Sequence, residues 1–381
     1  MDLDLDAATT EFQHEVRDFL AANKPERTLP SMDTKAGFEA HRDWERTLAD
    51  ARLSVVAWPE EYGGRDVGLL QWVLFEQEYY AANAPGRVSQ NGIFLLAPTL
   101  FEHGTPEQLA RIMPRMARGD DIWAQAWSEP EAGSDLAGIR SSARRTTGGW
   151  LLSGQKTWSS RAAFADWAFG LFRSDPEAER HRGLTYVMFP LSADGVSVRP
   201  IPQLDGEPGF AEIFLEDVFV PDRDVIGTPG EGWRVAMSTS SNERGLSLRS
   251  PGRFSATAAR LIELWSDTEG SDTDTAQRDK VVDAWLGSEA YRLHTFGTVT
   301  RLEEGGKLGA ESSITKVFWS ELDIAMHETA LEVLGANAER ASTWTDGYLF
   351  ALSGPIYAGT NEIQRNIIAE RLLGLPRGSS R

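Results

Sequence analysis

From Asp6 to about Asp120 the apolar residues recur at helical spacing: Phe12, Val16, Phe19 and Leu20, then Phe38, Trp44 and Leu48. Residues so spaced share one face of a helix. Pro/Gly clusters such as Trp58-Pro59-Glu60-Glu61-Tyr62-Gly63-Gly64 and Gly104-Thr105-Pro106 break the helices. Between about Asp121 and Gly230 the period changes. Trp150–Ser153, Leu184–Phe189 and Glu212–Val220 are short, rich in aromatic or β-branched residues, and bounded by Gly, Pro or Asp, the pattern of strands in a small antiparallel β domain. Helical spacing returns beyond Gly232, in Val281, Val282, Trp285 and Leu286, then Ile314, Val317, Phe318 and Leu322, with Gly335 as a C-terminal cap. The expected fold is α+β: an N-terminal helical domain over 1–120, a middle antiparallel β domain over 121–230 and a C-terminal helical bundle over 231–381. Ser266–Gln277, acidic and nearly free of apolar residues, is expected to be a mobile loop.

Composition narrows the function. The 381 residues carry 57 acidic against 38 basic side chains, a formal charge of -19. That balance argues against a partner rich in phosphate, whether nucleic acid or an anionic membrane, so an anionic ligand must be held by local groups. No cysteine is present, which removes disulfides, thiolate metal sites and thiol nucleophiles and fits a cytoplasmic enzyme. The acidic start MDLDLDAATTEF is unlike a secretory signal. The longest apolar run, Gly92 to Phe101, is too short to span a bilayer and contains a proline. The sequence also lacks GxGxxG, a Walker lysine loop, HExxH and calcium-loop carboxylate spacing. Its histidines, His14, His41, His103, His181, His294 and His327, are scattered singly and read as structural or surface groups.

Four segments could carry chemistry. In Gln125–Asp135 small residues let backbone N–H groups approach a ligand, and Ser128 and Ser134 add hydroxyls; an ordinary turn is the alternative. In Lys156-Thr157-Trp158-Ser159-Ser160 a large aromatic sits beside hydroxyls. Such a ring can cover a planar cofactor, or fill a core. A helix from about Trp233 to Trp265 has a middle, Ser238–Arg244, that is polar on every side. It lines either solvent or a polar cavity, and in a cavity desolvation would make Glu243 a stronger base. Last, Pro355–Arg365 reads as a turn opening a helix that runs to about Leu373, whose first N–H groups could meet an anion or carbonyl oxygen.

Taken in order, these segments resemble the acyl-CoA dehydrogenase family from about residue 6 to residue 377. The matching landmarks are AWPEEYGG at 57–64, HGTPEQ at 103–108, SEPEAGSD at 128–135, SGQKTW at 153–158, GEGW at 230–233 and YAGTNEIQRNIIAERLLGLPR at 357–377. The resemblance implies a helical domain, a β domain and a four-helix bundle, with FAD and a thioester lying between them. It implies that Gln125 and Ser128 meet the flavin, Ser134 the FAD phosphates or the CoA arm, Trp158 the isoalloxazine face and Ser160 its N5 edge. Thr360 and Glu362 match positions near the FAD pyrophosphate and ribose, and Gly359 lies beside the substrate carbonyl. The implied reaction is α,β-dehydrogenation: a carboxylate takes the α-proton while the β-hydrogen leaves as hydride to the flavin. An electron-transfer flavoprotein or similar acceptor follows from the same resemblance.

Three positions depart from the family pattern. Many members place the catalytic glutamate just before the Gly-Thr of the last motif, where this chain has Ala358. Another branch carries it on the first bundle helix before an arginine, and Asn242-Glu243-Arg244 matches that arrangement. The resemblance thus makes Glu243 the base, with Asn242 and Arg244 flanking the substrate. The Arg-x-x-Phe element that reaches a neighbouring subunit's FAD is missing, its place taken by Ser250-Pro251-Gly252 and the acidic loop. Glu332 also stands in a stretch where the family has Gln-x-x-Gly-Gly. Both changes weaken the adenosine half of the FAD site, and they resemble a bacterial steroid- and sterol-degrading subgroup that assembles as heterotetramers from two related chains. Three functions follow: a dehydrogenase of a bulky, branched or steroid-derived acyl-CoA, as a homo-oligomer or with a partner chain; a flavin monooxygenase of the same fold; and a non-catalytic subunit of a heteromeric dehydrogenase.

Overall fold

The computed structural model describes residues 4–245, 248, 250–269 and 273–376, with 241–245 as backbone only. In chain order the helices are α1 (Ala7–Asn23), α2 (Lys35–Asp50), α3 (Leu69–Ala81), α4 (Ala97–His103), α5 (Pro106–Ala117), α6 (Gly232–Gly245), α7 (Ser250–Asp267), α8 (Thr275–Glu303), α9 (Ser312–Leu334), α10 (Thr343–Ala351) and α11 (Asn361–Ile367). The strands are β1 (Trp123–Ala126), β2 (Ser142–Thr146), β3 (Gly149–Ser160), β4 (Trp167–Arg173), β5 (Leu184–Pro190), β6 (Val196–Ile201), β7 (Phe210–Pro221) and β8 (Val225–Ile226). Two compact units emerge, one of residues 25–67 and 85–243, the other of residues 1–24, 68–84 and 244–381. No helix among the described residues is long and apolar enough to cross a membrane.

The unit of residues 25–67 and 85–243 is built on an eight-stranded sheet in the order β6-β7-β3-β2-β4-β5-β8, with β1 beside β4. The expected antiparallel pattern holds for most pairs, but β1 runs parallel to β4 and β2 meets β4 in parallel at Ser142 and Arg173. The sheet is therefore mixed. A four-residue strand such as β1 carries too little alternation to declare its direction in sequence. One face buries Leu152, Phe172, Phe189, Ile213 and Val218 completely, each burial contributing roughly 1.5–3 kcal/mol.

Helices join this sheet through identifiable polar contacts. Thr105 and Gln108 form a reciprocal capping box at the start of α5, with Pro106 in the first turn. The Gln108 amide then donates to the carbonyls of Arg223 and Val225, at 2.9 and 2.7 Å, tying α5 to β8. Helix α6 starts directly on β5, where the Gly230 N–H donates to Thr185 Oγ1 at 2.9 Å. At Gly232 an added Cβ would lie 2.7 Å from the Tyr186 nitrogen and 2.7 Å from the Thr185 carbonyl carbon. Only glycine lets the helix sit this close to the strand.

In the other unit, α7, α8 and α9 bury Phe254, Leu261, Tyr291, Met326 and Ala330 among themselves, while Val73 and Leu74 of α3 pack with Phe296 and Val299 of α8. Helix α9 ends at Gly335 as expected, with φ +54°. The expected continuous helix from Trp233 to Trp265 is instead two helices, α6 and α7. The expected acidic loop is shorter than Ser266–Gln277, because Asp274 caps α8 and residues 275–277 are already helical; its centre, 270–272, lies outside the described residues.

Gly232→Ala should lower stability by about 1–3 kcal/mol, the usual range for forcing extra volume into packed backbone, as measured by chemical denaturation. A loss below a few tenths of that range would show that α6 can lift off β5 without cost.

Candidate functional site

The segment between β1 and β2 is anchored by a buried charge pair. Lys156 on β3 is fully inaccessible, and its ammonium donates to Glu129 Oε1 at 2.8 Å, the Leu171 carbonyl at 2.8 Å and the Trp127 carbonyl at 3.3 Å. The same ammonium lies 4.7 Å from the centre of the Phe172 ring. Glu129 in turn accepts the backbone N–H groups of Arg140 and Ser141, at 2.6 and 2.9 Å. Burial alone would raise the Glu129 carboxyl, but Lys156 and the two N–H donors outweigh it and hold the carboxyl below its ordinary value. Burial pushes the Lys156 ammonium down, opposed by Glu129. Both ends of the segment are thus tied to one cation.

This anchoring determines where the sequence-predicted residues sit. Gln125, half-buried on β1, stands opposite Phe169 of β4. Three residues on, the Ser128 carbonyl accepts the Thr157 N–H at 2.9 Å, which puts Ser128 beside the strand end that carries Trp158. The β3–β7 register shifts between Lys156 and Ser159. At that irregularity Trp158 adopts φ +59° and leaves 60% of its surface exposed, with Phe210 packed edge-on at 6.0 Å. A bulky residue held in the left-handed region stores about 1–3 kcal/mol of strain, a cost that clusters at ligand sites. Ser160 is half-buried two residues further on. Ser134 is exposed, next to Asp135, which pairs with Arg180 at 2.7 Å.

The polar turn of α6 is explained in part. Gly232, Val235, Ala236 and Thr239 are buried and define one face, and the Thr239 hydroxyl meets those of Thr99 at 2.8 Å and Tyr186 at 3.2 Å. Ser238 meets His103 Nε2 at 2.7 Å. The side chains of Asn242, Glu243 and Arg244 lie outside the described residues; their backbone continues α6, position 243 falling one turn beyond Thr239.

In the other unit the turn before α11 has two successive left-handed residues, Ala358 at φ +56° and Gly359 at φ +80°. The Gln364 amide holds it by donating to the Ala358 carbonyl at 3.1 Å. Thr360 caps α11 by accepting the Ile363 N–H at 3.3 Å. Glu362 is exposed, its carboxyl held below the ordinary value by its own backbone N–H and by Thr360. Glu332, expected as a stray anion, is matched by Lys280, whose ammonium reaches both its oxygens at 2.6 Å.

Taken unit by unit, the groups fit parts of a flavin dinucleotide on chemical grounds. The exposed indole of Trp158 offers an apolar plane, and Ser128 and Ser160 lie beside it with hydroxyls for a heterocycle edge. The Thr360 oxygen caps the helix, and an ionised Glu362 suits a ribose hydroxyl rather than a phosphate.

A strained, exposed indole beside a hydroxyl-bearing loop, on a sheet with helices packed to it, suits the class of proteins that hold a planar heteroaromatic cofactor. Family models place the chain more closely: those of the N-terminal, middle and C-terminal domains of acyl-CoA dehydrogenase match residues 6–120, 124–218 and 230–373. The chain is 39% identical over 391 aligned positions to acyl-CoA dehydrogenase IpdE1 of Mycolicibacterium smegmatis, covering 96% of this chain and 98% of that one. Among solved structures it is similar to a chain of the ChsE4–ChsE5 complex from Mycobacterium tuberculosis, with 27% identity, TM-score 0.84 and coverage of 99% of this chain and 100% of that one. It is equally similar to the Tcur3481–Tcur3483 steroid acyl-CoA dehydrogenase, with 26% identity, TM-score 0.84 and the same coverage. The chain therefore belongs to the acyl-CoA dehydrogenase family, whose members are oxidoreductases.

Sequence reasoning quoted Lys156 and Glu129 inside its landmarks without giving them a role. A lysine on a strand between buried neighbours was the available signal, since an inward charge requires a partner. Lys156→Met should lower unfolding free energy by about 3–5 kcal/mol, because it strands a buried carboxylate, and the Lys156→Met/Glu129→Leu pair should lose much less. In acid the sign is also fixed. With its folded-state value depressed below the ordinary 4.5, Glu129 contributes stability that is present above that value and is lost as pH falls through the folded one. Denaturation of Glu129→Gln should show a shallower acid dependence than the native chain; an equal slope would contradict the assignment.

Proposed function

We propose that this chain is an FAD-dependent acyl-CoA dehydrogenase that removes hydrogen from the α and β carbons of an acyl-CoA thioester, with Glu243 as the α-proton base. The observation that carries the reading is the Trp158 indole, exposed and held in a left-handed conformation beside the Ser128 segment. FAD, when bound, supplies the acceptor for the β-hydrogen and its electron pair. Trp158, Gln125, Ser128 and Ser160 would hold the flavin ring, and Ser134, Thr360 and Glu362 the phosphates and ribose. Asn242, Arg244 and the backbone at Gly359 would orient the thioester. Glu243 takes the proton, a task Ala358 cannot perform because a methyl group accepts none.

A bulky, branched or steroid-derived acyl group is supported by the 26% identity to a solved structure named a steroid acyl-CoA dehydrogenase. A related partner chain is supported by similarity to a chain of a two-component complex. One observation favours the alternative of a non-catalytic subunit in such an assembly. Pro251 and Gly252, which replace the missing Arg-x-x-Phe element, are buried, and a Cβ at Gly252 would lie 2.8 Å from the Glu76 carbonyl of α3. That stretch is packed into its own unit.

Anaerobic mixing with branched and steroid-derived acyl-CoA thioesters separates the two readings. The dehydrogenase reading expects bleaching of the flavin absorbance, and a fall of at least about 100-fold in its rate in Glu243→Gln with FAD still bound, the scale of losing a general base. A Glu243→Gln protein bleached at the native rate would remove Glu243 from the role.

A further inference from the structure

Within the unit of residues 25–67 and 85–243, a line of buried polar groups joins elements far apart in sequence. The Trp127 indole N–H donates to the Tyr186 hydroxyl at 3.1 Å. Tyr186 meets the Thr239 hydroxyl at 3.2 Å, Thr239 meets Thr99 at 2.8 Å, and Thr99 donates to the Leu95 carbonyl at 2.8 Å. Tyr186, Thr239 and Thr99 are completely buried. The indole can only donate and the carbonyl can only accept. The Thr239 hydroxyl also lies 3.1 Å from the Val235 carbonyl of its own helix, so its one proton goes either there or to Thr99. With that proton directed at Thr99, all protons run the same way, from Trp127 to Tyr186 to Thr239 to Thr99 to Leu95. Such chains polarise each link, and a break leaves a buried polar group short of a partner.

The chain's ends matter for the site. Trp127 precedes Ser128 and its carbonyl is held by Lys156; Thr239 lies on α6 one turn before position 243; Leu95 and Thr99 lie on the helical stretch from Gly92 to His103. His103 adds a second tie to α6 through Ser238. Gly232 lets α6 close on β5 at Tyr186 itself. From this geometry we infer that Tyr186 and Thr239 are positioning residues that fix the height and rotation of α6 against the Trp127–Ser128 segment, so that the base-bearing turn and the cofactor-bearing loop move as one body. The inference rests on the proposed roles of Ser128 and Glu243, but the mechanical link itself does not.

The test uses the full chain in Thr239→Val, Thr239→Ser and Tyr186→Phe forms, with two readouts: hydrogen–deuterium exchange and FAD titration. Valine keeps the shape of threonine and removes the hydroxyl; serine restores the hydroxyl. Thr239→Val and Tyr186→Phe should each accelerate exchange together in peptides from 95–103, 127–135 and 232–240, by about tenfold, as expected for one or two lost buried hydrogen bonds. FAD binding should weaken by a similar factor, while Thr239→Ser stays within about twofold of the native chain in both. Faster exchange confined to α6 in Thr239→Val and to β5 in Tyr186→Phe would overturn the link. FAD affinity within twofold of native despite joint loosening would overturn the positioning role. If no form binds FAD, the proposed function fails and the exchange pattern still decides whether the link exists. Should Thr239→Val fail to fold, Tyr186→Phe carries the same test from the other side of the contact.

Discussion

The arrangement around β1 depends on a single buried ammonium. Lys156 sits where an apolar side chain would normally fill the sheet, and a cation there is tolerable only with every proton directed at an acceptor. Its acceptors are Glu129 and the carbonyls of Trp127 and Leu171. The loop that follows β1 must therefore fold back over β3, and Glu129 then gathers the N–H groups of Arg140 and Ser141 from the far end of that loop. Two residues after Lys156 the strand breaks register and turns Trp158 outward. The same stretch of β3 thus fixes both the loop and the indole beside it.

From that anchor the polar interior extends in one direction. Trp127 is held by Lys156 through its carbonyl and by Tyr186 through its indole. Tyr186 continues to Thr239 on α6 and Thr99 on α4. In a unit whose sheet is otherwise packed with Leu, Phe, Ile and Val, these groups supply direction that apolar packing lacks, since a hydrogen bond fixes an angle as well as a distance.

Much of this architecture was legible in the sequence. The change from helical spacing to short aromatic and β-branched runs near Asp121, and back near Gly232, coincides with the stretch that holds β1 to β8, and Gly335 ends α9 as its type and place suggest. The ordered landmarks pointed to the family that the domain models match. Other features rest on contacts that no local pattern encodes. A Lys and a Glu separated by 27 residues in sequence meet only once β1, β3 and the loop are in place. Thr239 read as one residue of an anomalous polar turn, because its partners Thr99 and Tyr186 lie 140 and 53 residues away. The parallel β1–β4 pair was hidden by the shortness of β1.

The strong negative charge of the chain bears on the proposed cofactor: the groups proposed to hold a dinucleotide are backbone N–H groups, hydroxyls and an aromatic plane. The most direct measurement of the central claim is the visible absorption spectrum of the purified protein, expressed alone and together with a related dehydrogenase chain. The account predicts a bound-flavin spectrum, with FAD retained through gel filtration in at least one of the two preparations and lost in a Trp158→Ala, Ser128→Ala double variant. Protein that stays colourless with added FAD in both preparations, or a double variant that keeps its flavin unchanged, would contradict it.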